Sequence, residues 1–220
     1  DLAYWSSHWL HAAASGFAVS VLVYVIGAAF SIQLFVLMDG GLAILVFWIF
    51  MLAMSSVAFL VATLCGKVRI ASTAAIGIVL VGTAFAALSR EPATNDLAYV
   101  WYEPSFPTSL SFLLSLLLPP MSLVKIIADA TVITSQTLTV NETSGLAAWD
   151  GASAFDWDAL STYQQNRTAQ GSTVTTAGLV RNLYQTPPPI DALGLMLAAL
   201  AFFAIAALYL SQLLTSGSKP

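Results

Sequence analysis

His8 and His11 lie about one helical turn apart beside Trp5 and Trp9. Imidazole is the commonest metal ligand. A zinc site would need further ligands, and no Cys, Asp or Glu stands at a matching spacing. The four rings therefore read as an interfacial belt at the mouth of a spanning helix. In "FDWD", Asp156 and Asp158 offer two carboxylates for acid–base chemistry, but in a polar loop with no partner nearby. No nucleophile–base pair and no Gly-rich phosphate loop with a following Lys appears. No catalytic, cofactor or metal site is expected in this chain. Two positions offer modification chemistry instead. Asn141 in "NET" and Asn166 in "NRT" are glycosylation sequons.

The elements that carry these residues follow from composition. Of 220 residues, 58% are hydrophobic and only 8% charged. That leaves too little polar surface to cover a water-soluble globule, so a bilayer is the expected solvent. The net charge of -4 belongs to residues 90–189, which hold four basic and eight acidic residues. That balance speaks against a nucleic-acid partner. Cys65 is the single cysteine, so no intrachain disulfide can form. The sequence begins at Asp1 without an initiator Met or a basic leader, and is read as a piece of a longer polypeptide.

Four charge-free apolar runs predict spanning helices at about 12–38, 41–65, 70–88 and 192–214. The run 106–118 is shorter and ends at Pro119-Pro120, which cannot continue a regular helix. With the stretch beyond it, apolar but interrupted by Lys125 and Asp129, it is read as a re-entrant hairpin over about 106–127, followed by a polar loop over 130–189. The expected class is thus an all-α membrane protein with four spans, a hairpin and a long polar loop. Asp39 and Asp191 fall at span ends and are read as solvated. No charge lies within the four runs, which speaks against a proton relay or ion-coupled site.

Sidedness comes from Lys67 and Arg69, in the short loop between the second and third spans. Short cytoplasmic loops accumulate such charges. This loop is therefore placed in the cytoplasm, with its two cations anchored at lipid headgroups. Residues 90–189 are then outside, where both sequons could be used. A single crossing by 106–127 would put both in the cytoplasm, which favours re-entrance. The third span pairs small residues four apart: Ala71 with Ala75, Thr73 with Gly77, Gly82 with Ala86. That spacing allows close helix packing.

The order of these features resembles the later part of a transmembrane domain from the A subfamily of ATP-binding cassette transporters. "YWSSHWLHAAASG" resembles the segment opening that family's third helix. "SSVAFLVATLCGKVRIASTAAIGIVLV" is similar to its helix, short basic loop and small-residue helix. "LSLLLPPMSLVKII" resembles the Leu-Leu-Ser-Pro element of its extracellular hairpin, and "FDWDALS" a Trp-Asp-Asn element before the sixth helix. The basic loop, the Pro-Pro pair and the long 130–189 segment depart from the family pattern. The resemblance implies that residues 1–220 supply helices three to six of a six-helix half, within a transporter of lipid or other amphipathic substrates. ATP and Mg would bind a separate nucleotide-binding domain of the same protein, in the plasma membrane or an endomembrane. The remaining helices, that domain, the bilayer and a lipid-like substrate would be the partners. Two alternatives belong to other classes: a tetraspan scaffold, disfavoured by the cysteine-free loop, and an ion-coupled carrier or channel.

Overall fold

A computed structural model describes residues 2–65, 68–88, 107–134, 137–140, 147–150, 154–161, 164–165 and 185–216. Helices dominate: α1 (Leu2–Ala29), α2 (Gln33–Leu37), α3 (Gly40–Leu64), α4 (Val68–Leu88), α5 (Thr108–Leu117) and α6 (Pro119–Thr134). A short α7 (Trp157–Ser161) and a long α8 (Pro189–Ser216) complete them. Two small antiparallel ribbons interrupt the polar region: β1 (Thr137–Val140) with β2 (Ala147–Asp150), and β3 (Gln164–Gln165) with β4 (Gln185–Thr186). All of the long elements are helices.

Three helices are long and apolar enough to cross a membrane: Trp5–Ala29, Gly40–Leu64 and Pro189–Leu213. The pair α5–α6 would make a fourth if counted as one broken span. The expected third span is the 21-residue helix α4, but its described apolar stretch, Arg69–Ala84, falls short of that length. Large apolar side chains on the outer faces, such as Leu22, Leu80, Phe202 and Ile205, are exposed. In water such faces would aggregate; lipid accepts them. The chain is thus compatible with an integral membrane protein.

The first span differs from expectation. Apolar sequence continues to Met38, but the helix stops at Ala29. Ser31 takes a left-handed φ of 53°. The Ile32 N–H donates to the Gly27 carbonyl (3.1 Å) and the Ser31 N–H to that of Ala28 (2.9 Å). This is a Schellman C-cap. The Phe35 ring then folds back onto Gly27, where any Cβ would collide with it. Glycine at 27 is what lets α2 turn back against α1. The helix instead extends N-terminally through the Trp and His residues to Leu2.

Packing fixes helix directions. The Trp48 indole donates to the Ala13 carbonyl (2.9 Å), Phe59 meets Trp5 and Trp9 edge-on, and Tyr24 lies against Gly40. Hence α1 runs antiparallel to α3. One apolar cluster joins Leu42 and Val46 of α3 to Ala192 and Met196 of α8. A second joins Val57 and Val61 to Ala199 and Phe203, with Ala71, Ala74 and Ile78 of α4 against them. So α3 and α8 run parallel, and α1 and α4 run the other way.

Candidate functional site

The most polar part of this apolar bundle is the pair α5–α6. Its bend lies at Leu118, which is non-helical (φ -123°, ψ 84°). A residue before proline is driven away from the α region. Pro119 and Pro120 then open α6, where first-turn N–H groups lack intrahelical partners and proline loses nothing. The two helices are bent by 113°. A bend beyond a right angle turns the chain back toward the end from which it came. Leu116 reaches the second apolar cluster, while Ile126 and Ala130 sit in the first. The pair thus packs against both apolar clusters of the bundle.

Sequence reading placed this feature over 106–127 and a polar loop from 130. The helix continues to Thr134 because Ala130 and Thr134 are buried. The Thr134 carbonyl also accepts a hydrogen bond from Gln33 Nε2 (2.8 Å).

Lys125 and Asp129 face one another across one turn of α6 as a fully buried ion pair. Flanking them are Ile126 and Ala130, which pack with Leu42, Ala192 and Met196. The Asp191 carboxylate, in the first turn of α8, also acts on Lys125 electrostatically. Two opposite charges one turn apart present no net charge to the surrounding apolar helices. Sequence reading treated both residues only as interruptions of an apolar run. Their i, i+4 spacing was the signal for a pair.

A line of serines continues from the ion pair. Ser122 on α6 and Ser111 and Ser115 on α5 are all buried. Ser122 Oγ donates across the bend to the Ser115 carbonyl (3.3 Å). Ser115 Oγ is buried and has no hydrogen-bond partner among the described residues.

Gly82 of α4 is buried against the ring of Pro120; a Cβ there would lie 3.0 Å from Cγ. Ala71 packs in the second apolar cluster and Ala75 is half-buried. Thr73 is exposed, and a Cβ on Gly77 would meet nothing within 4 Å. The packing face of α4 therefore follows 71, 74, 78 and 82, and the 73–77 pair looks outward. Ala86 lies on the same helix.

The other singled-out residues are scattered. Arg69 is exposed at the start of α4. Lys67, Asn141 and Asn166 lie outside the described residues. His8 and His11 are exposed, and His8 stacks edge-on against Phe59. Among the described residues no group of three or more His, Cys, Asp or Glu is arranged to hold a metal ion. Asp39 caps α3, accepting from the Leu42 N–H (2.9 Å).

The "FDWD" segment is not free of partners, as sequence reading held. Phe155 is fully buried and bridges in parallel to Met38. Its carbonyl accepts from the Asp39 N–H (2.9 Å), and its N–H donates to Leu37 (3.0 Å). Asp156 then caps α7 through the Ala159 N–H (3.0 Å).

No protein-family model, curated protein or solved structure matches the chain.

Proposed function

We propose that the chain is the membrane-spanning part of an ATP-driven transporter of the A-subfamily type, moving lipid or another amphipathic substrate. The observation that carries this reading is the bent pair α5–α6, which dips among α3, α4 and α8 between the third and last long helices. A passive scaffold has no need of a broken, polar helix pair inside its bundle. The family resemblance puts a re-entrant hairpin at this place in the chain. In this reading residues 66–69 face the cytoplasm, where coupling to a nucleotide-binding domain occurs. Residues 90–189 face outside, with Asn141 and Asn166 open to glycosylation, and the hairpin seals the outer end. ATP and Mg belong to the nucleotide-binding domain, and this chain performs no hydrolysis itself.

The experiment reconstitutes the full-length protein in lipid vesicles and follows ATP-dependent movement of a fluorescent phospholipid. ATP-dependent transfer is expected. On a Cys65→Ser background, a cysteine at Val68 should react with an impermeant thiol reagent only from the cytoplasmic side. Reaction from outside alone overturns the topology, and absence of ATP-dependent flux across a panel of amphipathic substrates overturns the transporter reading.

The buried Lys125–Asp129 pair favours one second reading. Ionisable groups inside a membrane bundle commonly mark ion pathways. An ion-coupled carrier would move substrate under an ion gradient without ATP, which the same vesicles distinguish.

A further inference from the structure

Among the described residues, buried polar side chains concentrate on the bent pair: Ser111, Ser115, Ser122, Lys125, Asp129 and Thr134. The long helices contribute only Ser20 and Ser56. Helix α5 is inverted relative to a water-soluble helix. Ser111 and Ser115 point inward and Ser109 is exposed, while Leu110, Leu113 (50% exposed) and Leu117 point outward. In lipid, a helix with an apolar outer face and a polar inner face is one that lines an internal polar space.

The hydroxyl of Ser115 gives a second, independent indication. A buried serine or threonine in a helix normally turns its hydroxyl back to the carbonyl four residues earlier. Ser20, Ser56 and Thr134 all do so, at 2.8, 3.0 and 2.8 Å. Ser115 does not, and among the described residues its Oγ has no hydrogen-bond partner. A buried hydroxyl without a partner is costly, so such a position calls for water or an ion. Charge favours a cation over an anion. Lys125 and Asp129 cancel, and among the described residues the other charges near that end are the acids Asp39, Asp156, Asp158 and Asp191. Among the described residues, neither α4 near Gly82 nor α5 supplies an opposing charge.

We propose that the inner face of α5 and α6 forms a polar path that carries water and small cations from the Asp191 end of the bundle to Ser115. The path stands on the geometry of the bent pair and requires only that the bundle be in a membrane. It does not rest on the ATP-driven reading.

The test uses the full-length protein in vesicles, on the Cys65→Ser background, with single cysteines at Ser115, Ser122, Ala128 and Leu113. The probe is a small cationic methanethiosulfonate, whose sulfenyl sulfur a thiolate attacks with release of methanesulfinate, and so it reports hydration of the cysteine sulfur. Ser115→Cys and Ser122→Cys are near-isosteric changes that keep the helices packed. Both should react at least about ten-fold faster than buried Ala128→Cys and outward-facing Leu113→Cys, because only hydrated thiols ionise. Adding Asp191→Lys should slow the cationic reagent at Ser115→Cys by about ten-fold relative to an anionic analogue, since the charge at the mouth is reversed. Equal slowness at all four positions overturns the path. So does equal speed at all four, which would mean that the whole bundle opens. An unchanged cation-to-anion ratio with Asp191→Lys overturns the route past Asp191. Transport assays are not needed for any of these readouts, so their failure and failure of the transporter reading remain distinct.

Discussion

Gly82 of α4 and Pro120 of α6 meet where a single added methyl group would stand 3.0 Å from the proline ring. A flexible neighbour could rotate away, but a proline ring in the first turn of a helix has little freedom. The contact fixes the tip of the bent pair against the third long helix.

Substitution at this contact should therefore be costly. Gly82→Leu should destabilise the bundle by about 1–3 kcal/mol or more, as overpacking does. It should lower substrate-stimulated transport while ATP still binds the nucleotide domain. Gly77→Ala is the internal control, because its Cβ would enter open space. Thermal unfolding in detergent should show a drop for Gly82→Leu and none for Gly77→Ala. Gln164→Leu, in the polar region, should be nearly silent in transport. Wild-type melting and transport in Gly82→Leu would remove the role given to the contact.

Breaking the ion pair should be worse than deleting it. Lys125→Met or Asp129→Leu alone leaves one charge buried without its counterion, at a cost of about 3–5 kcal/mol. The double variant removes both charges and should recover most of that loss. A melting-temperature cycle over the four proteins measures the coupling. Additive losses would show that the two residues do not act as a pair.

Phe155 should matter far more than its neighbour Trp157. Phe155 is fully buried between the α2–α3 corner and α8, whereas Trp157 is 52% exposed. Phe155→Ala should cost about 3–5 kcal/mol, the range for a large core aromatic. Trp157→Ala should stay near neutral. Limited proteolysis around residues 154–161 reads this directly, with faster cleavage expected for Phe155→Ala alone.

The elbow at Ser31 gives a prediction of opposite sign. A left-handed conformation costs a serine about 1–2 kcal/mol that glycine avoids. Ser31→Gly should raise the melting temperature, and Ser31→Val should lower it. A fall with glycine would show that the serine side chain contributes more than the backbone geometry costs.

The second and fourth spans were legible almost to the residue. Both are unbroken apolar runs, and lipid leaves the backbone no alternative to a helix. The bent pair was legible too, because Pro119-Pro120 punctuates a run too short to span. The break at Ser31 was not, since apolar residues stand on both sides and no Gly or Pro marks the cap. What closes it is the fit of Phe35 onto Gly27, a contact that composition does not record. Lys125 and Asp129 were visible only as blemishes in a hydrophobic run. Their partnership appears once the run is known to be helical. Phe155 was read as part of a free loop because its docking is a backbone bridge to Met38, more than a hundred residues away in sequence. The unpartnered hydroxyl of Ser115 has no sequence signature at all, since Ser20, Ser56 and Thr134 are buried in helices too and back-bond.

The shortness of the bent pair also governs how the protein is made. Helices α5 and α6 have 10 and 16 residues, or about 15 and 24 Å at the usual helical rise. Neither matches a hydrocarbon core of about 30 Å. α6 also carries two charges that hydrocarbon would reject. An insertion machine that tests each segment as it emerges would leave both at the membrane surface. They can sink to their final depth only after α8, synthesised later, has arrived to cover Ile126 and Ala130. Truncation before residue 189 should therefore strand the pair at the interface, and the ribosome must pass the entire polar segment before this part of the bundle can close.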